Sequence, residues 1–379
     1  MNVLLIHHCD TWGGAGVSLK VCIEMLLEGG HTVTVCYPHE ETGVVANLKK
    51  IQGNISLISC EEEIGMISAY NGGPESTSKT FWRNLTKIRS SRRKIVSILE
   101  SDKFDLVVIN SITTSWICKL THKKKIPSLV YVRETMPKHN KLGFKMVHHY
   151  IDKYATGVVF ISEFDKGQMQ FNTGKQHVFR NCIHIDAYQT KVSREEACGK
   201  FSLDASMVNF LFLGGSNELK GYSVLTEAMK QISSPVLNLV IAGIMEEGKQ
   251  VDDARIHYLG MVFDMPLLFK ACDALVFPST SAHQARPAFE AGALGLPVII
   301  SDFPETAETV RNDYNGLVFI PCDSTALAEK MLLLCNNQSL REKLGKNNLE
   351  NTLCLHNYDR TQKEFNKFVQ ELVVSENQR

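Results

Sequence analysis

Short apolar runs of four to six residues alternate along the chain with longer amphipathic stretches, the pattern of a βα protein. In the first half they predict strands near 2–6, 31–36, 105–110, 127–132 and 157–161. The second half starts the pattern again, with strands predicted near 208–213, 237–242, 274–277, 297–300 and 316–319. Helical periodicity is clearest over 16–28 and 80–100. The pattern therefore predicts two doubly wound parallel sheets of similar size.

A polar run without a strong strand, 186–206, lies between the two sets of strands and predicts a linker. We therefore expect one Rossmann-like domain over 1–185, a second over 186–357 and a final helical segment over 358–379. The stretch 61–79 is rich in Ser, Thr and Gly and predicts a long loop. Loops of this length are usually functional or disordered, so whether it covers a substrate stays open.

Composition narrows the classes of function. The 379 residues predict two domains, and 41 basic against 41 acidic residues leave no global field to attract nucleic acid. The eleven cysteines show no CxxC spacing, which favours reduced core thiols. No apolar run approaches the ~20 residues that span a bilayer, and the start resembles a strand more than a signal peptide. We expect a cytoplasmic protein with at most peripheral membrane contact.

A basic run lies on the predicted helix 80–100, with aromatic residues at its start. It consists of Lys87, Arg89, Arg92, Arg93 and Lys94, after Phe81 and Trp82. Such a helix can contact anionic lipid, or it can simply present a solvated face. Both interpretations stay open.

Two glycine-containing loops each follow a predicted strand. The first runs Trp12-Gly13-Gly14-Ala15-Gly16, where small residues and free N–H groups suit a phosphate or hydroxyl ligand; a tight turn without ligand is the alternative. It lacks GxGxxG, and no acid ends the second strand, which argues against NAD. The second contains Gly215, Ser216 and Lys220, and its cation can balance a diphosphate unless it is an ordinary surface lysine.

The stretch 280–297 places an acid, Glu290, on a helix between two buried strands. Its carboxylate can accept hydrogen bonds from a ribose diol, with Arg286 and His283 nearby. Alternatively, Arg286 and Glu290 pair with each other as i,i+4 neighbours. The next segment, 301–308, predicts a capped helix that starts near Pro304.

One more predicted strand ends in charged residues, Arg133 and Glu134, which either face a ligand or form a surface ion pair. No His, Cys and Asp cluster has metal-ligand spacing, and there is no nucleophile elbow or Walker-type loop.

Taken in order, these motifs make the chain resemble a family 4 GT-B glycosyltransferase (group 1) over nearly its whole length. The motifs that carry the resemblance are the first glycine loop, 28–33, 161–163, 180–183, 220–221, 278–279, 290–291 and 315–318. The resemblance implies two Rossmann-like domains facing a central cleft, with the final helix returning to the first domain. It also implies retaining transfer of a sugar from a nucleotide-sugar to a glycan or lipid-linked acceptor in cell-surface polysaccharide synthesis, without metal or cofactor.

Site roles follow from the same resemblance. Lys220 would stabilise the leaving phosphate, and Glu290 would bind the nucleotide ribose. The remaining donor-side residues would be Gly14, Ala15, Gly16, Gly215, Ser216 and Arg286. Trp12 and Glu134 would lie on the acceptor side.

Three positions depart from the family pattern. Ala282 replaces a Glu, Gly215 replaces an Arg, and Arg133 replaces a His. We expect the first change to alter donor specificity and hypothesise that Arg133 or Arg286 supplies the missing charge. Two alternatives stay open: a catalytically impaired nucleotide-binding or scaffold paralogue, and a nucleotide-sugar epimerase of the same fold.

Overall fold

The computed structural model describes the chain except for Thr11, Gly13, Ala69, Asn71, Gly72, 137–139, His283, Gln378 and Arg379. Gly13 of the first glycine loop, part of the predicted loop 61–79, and His283 thus lie outside the described residues. The chain forms two compact units. Unit 1 comprises Met1–Asn181 and Asp359–Arg379, and unit 2 comprises Cys182–Tyr358.

The described residues of unit 1 form seven strands. They are β1 (Asn2–Ile6), β2 (Thr32–Tyr37), β3 (Ile55–Ser59), β4 (Leu106–Ile109), β5 (Ser128–Val132), β6 (Gly157–Phe160) and β7 (Lys175–Val178). Its helices are α1 (Gly14–Glu28), α2 (Gly43–Leu48), α3 (Lys79–Ser101), α4 (Cys118–Lys124), α5 (Lys141–Tyr154) and α6 (Glu163–Met169), with a 3₁₀ segment, Ile112–Ile117, before α4.

In unit 2, the residues that the structure describes form six strands. They are β8 (Val208–Phe212), β9 (Leu237–Ala242), β10 (Ile256–Gly260), β11 (Ala274–Phe277), β12 (Val298–Ser301) and β13 (Gly316–Phe319). Its helices are α7 (Arg194–Lys200), α8 (Tyr222–Gln231), α9 (Met265–Lys270), α10 (Arg286–Ala293), α11 (Ser324–Asn336) and α12 (Gln338–Leu355). Two 3₁₀ segments, Ile185–Tyr188 and Glu218–Lys220, precede α7 and α8, and the last helix of the chain is α13 (Tyr358–Asn377).

Both sheets are parallel and doubly wound, as predicted. The strand order is β3-β2-β1-β4-β5-β6-β7 in unit 1 and β10-β9-β8-β11-β12-β13 in unit 2. The order reverses between β1 and β4 in the first sheet and between β8 and β11 in the second. In such sheets, ligands bind outside the carboxyl ends of the strands at this switch point. The fold therefore predicts a ligand site in each unit, formed by the residues that follow β1 and β4 in unit 1 and those that follow β8 and β11 in unit 2.

The central strands of unit 2 are buried because each of their faces is covered by helices. Phe210 and Phe212 of β8 enter one apolar cluster, while Leu211 between them enters another on the opposite face. Side chains alternate across a strand, so a strand covered on both sides needs an uninterrupted apolar run. For this reason the sequence predicts β8, β9, β11 and β12.

Three strands were not predicted: β3, β7 and β10. Each lies at an edge of its sheet, and their side chains are mostly only half-buried. Polar residues are tolerated at such positions, and β7 reads Lys-Gln-His-Val. The apolar signal is therefore too weak to mark them.

Two sequence predictions are wrong. The run 186–206 is not simply a linker, because α7 within it begins with a Ser193–Glu196 capping box and buries Ala197 and Cys198 in unit 2. The predicted helix near Pro304 is a series of turns over 304–309. There the Thr306 hydroxyl accepts from the Phe303 amide (3.3 Å), a local bond that competes with helix formation.

The last helix, α13, packs on unit 1. Asn366 donates from Nδ2 to the carbonyl of Met25 in α1 (2.7 Å), and Phe365 contacts the rings of Tyr131 and Phe179. Where the chain crosses between the units, the residues around Ile183 and Asn357 lie side by side as a parallel bridge within unit 2.

Candidate functional site

The switch point of unit 2 brings two predicted motifs together. The loop after β8 ends at the 3₁₀ segment Glu218–Lys220, and the segment after β11 starts at Pro278. The Thr280 amide and the Ser279 hydroxyl both donate to the carbonyl of Leu219, at 3.0 and 3.1 Å. Lys220 is therefore fixed beside the start of the 280–297 stretch.

Gly221 makes this contact possible. Its φ is 92°, in the left-handed region, and a Cβ atom at this position would lie 1.8 Å from the carbonyl oxygen of Pro278. Any larger residue would separate the two loops. The glycine of the Lys-Gly pair is thus needed for the position of its lysine.

Hydrogen bonds hold both the backbone and the side chain of Lys220. Asn217 caps the 3₁₀ segment by accepting from the Lys220 amide (3.2 Å), and the Lys220 ammonium donates to the carbonyl of Leu213 (3.2 Å). Burial of the ammonium lowers the pKa of Lys220 below its ordinary value. One neutral carbonyl leaves two of the three ammonium protons for another acceptor.

Lys220 lines a cavity of about 520 Å³ at the carboxyl ends of β8, β9 and β10. The polar lining comes from Ser216, Asn217, Lys220 and Glu246, and the rest is glycine backbone and apolar side chains. A volume of this size is typical of a small-molecule pocket, ~300–1,000 Å³.

The backbone of Gly215 and Ser216 is already engaged. The Gly215 amide donates to Ala242 (3.1 Å), the Ser216 amide donates to Ile244 (3.0 Å), and the Ser216 hydroxyl accepts from the Glu246 amide (2.9 Å). These two residues shape the cavity wall, and their amides do not point free N–H groups at a phosphate.

Gly215 also explains one departure from the family pattern. Its φ is 55°, and a Cβ atom would lie 2.0 Å from the carbonyl oxygen of Ile244. An arginine at this position would therefore require a different backbone path. At this position the chain therefore has no cation, and the loops that contain Gly215 and Ile244 approach each other closely.

Glu290 lies in the second turn of α10 and is paired. Its carboxylate accepts from Arg286 Nε (2.8 Å) and from the hydroxyl of Tyr188, and only 12% of its side chain is exposed. Burial raises the pKa of Glu290. The Arg286–Glu290 pair that the sequence left open as an alternative to ribose binding is therefore present. A carboxylate has about four acceptor positions, so this pairing leaves room for a diol.

Tyr188 is a site residue that the sequence did not indicate. It comes from the 3₁₀ segment Ile185–Tyr188, inside the run that was predicted to be a linker, and it packs against α10. Burial and the nearby Glu290 carboxylate raise the pKa of Tyr188, and its neutral hydroxyl donates to Glu290. No sequence pattern distinguishes this residue, because single tyrosines are common in polar stretches.

Unit 1 has a polar cluster at its own switch point. His7 Nδ1, just after β1, accepts from Asn110 Nδ2 after β4 (3.1 Å), and Asn110 Oδ1 accepts from Arg133 Nε (2.8 Å). Burial and the adjacent His8 and Arg133 lower the pKa of His7 to about 3. Only Arg133 had been predicted. The run His7-His8-Cys9-Asp10, directly after an apolar strand, is the signal that would have identified His7. No comparable signal marks Asn110.

Arg133 is rigidly placed. Besides its bond to Asn110, it donates from Nη2 to the carbonyl of Ser18 (3.3 Å) and lies over the ring of Tyr131, with 4.0 Å from Cζ to the ring centroid. These contacts all lie within unit 1.

Glu134 does not pair with the guanidinium of Arg133. Its carboxylate accepts from the Ser111 hydroxyl (2.5 Å) and from the amides of Ile112 and Arg133 (both 3.3 Å). Burial raises the pKa of Glu134. The surface ion pair considered from the sequence is therefore wrong, and Glu134 ties the ends of β4 and β5 together.

Asp10 and His39 form a polar pair at the same edge of the sheet. Asp10 Oδ2 lies 2.7 Å from His39 Nδ1, and the Asp10 carboxylate also accepts from the His39 amide (3.3 Å). Both side chains are substantially exposed, 36% and 41%. They follow β1 and β2, at the carboxyl end of the sheet.

The first glycine loop leads directly into α1. Gly14 and Ala15 are exposed, and a Cβ atom at Gly14 would meet nothing within 4 Å. Gly16 instead packs under the ring of Trp12, which would lie 2.8 Å from a Cβ atom there. Trp12 lines a groove of about 550 Å³ between α1 and residues 47–52.

In the part of the chain that the structure describes, no group of three or more His, Cys, Asp or Glu side chains could hold a metal ion. The same residues include no helix that is both long and apolar enough to cross a membrane.

Comparison with known proteins adds a family and a fold. Residues 194–351 match a family described as glycosyl transferases group 1. A Klebsiella pneumoniae protein described as an uncharacterized 41.2 kDa protein in the cps region is 24% identical over 288 residues, 68% of this chain and 80% of that protein. The N,N'-diacetylbacillosaminyl-diphospho-undecaprenol alpha-1,3-N-acetylgalactosaminyltransferase of Campylobacter jejuni is 30% identical over 219 residues, 56% of this chain and 58% of the relative.

Among solved structures, Anabaena Alr3699/HepE in complex with UDP is similar with a TM-score of 0.80 at 16% identity, covering 98% of this chain and 100% of that one. This likeness extends over both units. Residues 194–351 therefore match the group 1 glycosyl transferases, and the chain as a whole has the GT-B fold of two Rossmann-like domains.

Proposed function

We propose that the protein transfers a sugar from a nucleotide-sugar to a glycan or lipid-linked acceptor in polysaccharide synthesis, with retention of anomeric configuration. The observation that carries this proposal is the position of Lys220. Its ammonium lines a cavity at the carboxyl ends of β8, β9 and β10, in the unit that matches the group 1 glycosyl transferases. A cation at this place suits the diphosphate of a nucleotide-sugar.

The donor side of the proposal rests on unit 2. Lys220 stabilises the charge that develops on the diphosphate as its bond to the sugar breaks, which is electrostatic catalysis by a pre-positioned group. Glu290 accepts hydrogen bonds from the ribose hydroxyls while Arg286 and Tyr188 hold its carboxylate in place. The proton of the acceptor hydroxyl passes to the departing phosphate oxygen, so atoms and charge balance without a metal.

The acceptor side rests on unit 1. The carboxyl end of its sheet presents Arg133, Asp10 and His39, polar side chains suited to a polar acceptor. The name of the Campylobacter relative specifies a diphospho-undecaprenol sugar acceptor, which supports a lipid-linked acceptor for this chain too. We also propose a cytoplasmic location, where nucleotide-sugars are made.

We propose that Arg133 supplies part of the positive charge that the family's arginine would provide at position 215, where this chain has glycine. Arg133→Ala should then reduce turnover strongly, while Arg133→Lys should retain part of it. Because Arg133 also bonds Asn110 and the Ser18 carbonyl, thermal stability is measured in parallel. Wild-type turnover in Arg133→Ala would remove this residue from the mechanism.

The test is an assay for nucleoside diphosphate release from a panel of nucleotide-sugars, with and without a polyprenyl diphosphate-sugar acceptor. The proposal predicts slow release alone and faster release with acceptor. NMR of the product should show the anomeric configuration of the donor.

The two alternatives give other results. An impaired paralogue, which Ala282 and Gly215 would favour, binds nucleotide but releases none. An epimerase converts the donor sugar without any acceptor, which chromatography of the sugar reveals.

A further inference from the structure

Helix α3 of unit 1 has an unusual charge distribution. It contains seven Lys and Arg residues and a single acid, Glu100, and its first turn has no acidic residue. Cations near a helix N-terminus oppose the helix dipole, and like charges three or four positions apart repel. Arg89 has such a spacing with both Arg92 and Arg93. The distribution therefore weakens the helix and has to be explained by something other than helix stability.

Five of the seven cations of α3 fall into two groups. Lys87 pairs with Glu63 and Lys94 pairs with Glu61 (2.9 Å), so one flank of the helix is neutralised by residues 61–63. Across the described residues, by contrast, no acidic partner pairs with Arg89, Arg92 or Arg93. All three are exposed.

These three arginines lie on one side of the helix with an aromatic residue at its start. Trp82, Arg89 and Arg93 are seven and four positions apart and so form a stripe, with Arg92 beside it. The Trp82 ring is 53% exposed, while its indole N–H donates to the Ser76 carbonyl (2.9 Å). We call Trp82, Arg89, Arg92 and Arg93 the arginine face.

The three arginines line a shallow groove of about 810 Å³, together with Thr86, Ser90 and Val96. The hydroxyls of Thr86 and Ser90 donate to the helix carbonyls of Arg83 and Lys87, so the guanidinium groups are the donors that this groove offers. Guanidinium groups match the geometry of phosphate oxygens. An apolar ring beside them matches the boundary between headgroups and acyl chains, where tryptophan is enriched.

We infer that the arginine face docks unit 1 onto the surface of a bilayer that contains anionic phospholipid. Charge complementarity is the argument for this occupant. The whole protein has zero net charge, so only a local cluster of cations can be attracted to an anionic surface. The inference is independent of the donor site, since every residue of the arginine face lies on α3 and none is in unit 2. Docking would bring the enzyme to a lipid-linked acceptor, the class of acceptor proposed above.

The test is co-sedimentation of the full chain with vesicles of phosphatidylcholine alone or mixed with phosphatidylglycerol. We expect binding only to the mixed vesicles, weaker at higher salt. The triple variant R89Q/R92Q/R93Q should bind roughly 100-fold more weakly, since each basic residue near an anionic surface contributes a several-fold gain.

The matched control is K87Q/K94Q/K124Q. It removes the same charge from unit 1, but from residues that pair with Glu63, Glu61 and Glu100. This variant should bind much more tightly than the arginine variant. Equal loss in both would show a non-specific charge effect, and no preference of the wild type for phosphatidylglycerol would overturn the inference.

Two further readouts separate the membrane from other anions. The fluorescence of Trp82 should shift to shorter wavelength on mixed vesicles, and W82F should abolish that shift. Displacement by millimolar inorganic pyrophosphate would indicate a site for free phosphate instead, and tighter binding to RNA would indicate nucleic acid. Either result contradicts membrane docking, and neither affects the donor assay.

Discussion

At the scale of single residues, Glu290 has a partner and a proposed ligand, and the two roles are separable. Glu290→Gln keeps the shape and one acceptor oxygen but loses the charge. If the carboxylate binds the ribose diol, the affinity for a nucleoside diphosphate should fall by about 1.5–3 kcal/mol, or roughly 10- to 150-fold. Isothermal titration calorimetry measures this change.

Arg286→Gln is the comparison for that prediction, because it breaks the same 2.8 Å ion pair from the other side. If the pair only stabilises α10, both variants should lower the melting temperature and leave nucleotide affinity unchanged. That outcome would exclude Glu290 as a ribose ligand.

His7 makes the stability of unit 1 depend on pH. The pKa of His7 is lowered from 6.5 to about 3 by burial and by the neighbouring His8 and Arg133. Between these values the unfolded chain binds a proton at His7 and the folded chain does not. The free energy of unfolding should therefore fall as pH decreases through this window, by up to about 1.4 kcal/mol per pH unit for this one group.

His7→Asn should flatten that slope, because an amide oxygen can still accept from Asn110 and no longer titrates. Urea denaturation across the window measures the slope. The control His149→Asn removes an exposed histidine of the same unit and should leave it unchanged. An identical slope in wild type and His7→Asn would contradict the account of the cluster.

At the scale of elements, the sequence was informative where burial is complete. Central strands such as β8 and β9 show unbroken apolar runs because both faces are covered, and they were predicted within about a residue. Edge strands such as β7 tolerate Lys and Gln, so their pairing comes from backbone hydrogen bonds that leave no trace in residue type.

The residues of the candidate site also differ in how well the sequence predicts them. Lys220 and Glu290 were found because a charged residue near the end of a buried strand is conspicuous. Tyr188 and Asn110 were not, because each is an ordinary polar residue whose role depends on a neighbour distant in sequence. Their contribution is a tertiary property, and only the packed structure displays it.

Helix α13 belongs to unit 1 through specific contacts, which one substitution can test. Asn366→Leu removes the 2.7 Å bond to the Met25 carbonyl and should destabilise unit 1 by about 1 kcal/mol. Lys367→Gln, next to it but 79% exposed, should change stability by less than about 0.5 kcal/mol. Equal stabilities of the two variants in guanidinium denaturation would show that this bond does not hold α13.

At the scale of the whole molecule, the two units repeat one plan. Counting only its own strands, each sheet has the order 3-2-1-4-5-6, with an added edge strand in unit 1. The same reversal point therefore collects functional groups twice, around Lys220 in unit 2 and around Arg133 in unit 1. Unit 2 contains the residues that match the group 1 glycosyl transferases, so we propose that this unit binds the donor.

The central claim is that Lys220 binds the diphosphate of the donor. Calorimetry with UDP, GDP and ADP on wild type, Lys220→Gln, Lys220→Arg and the exposed control Lys230→Gln tests it most directly. Because burial lowers the pKa of Lys220, wild-type affinity should decline with rising pH before that of Lys220→Arg, whose cation persists. The account predicts a roughly 10- to 150-fold loss of affinity in Lys220→Gln and none in Lys230→Gln. Equal affinities in wild type and Lys220→Gln would contradict it.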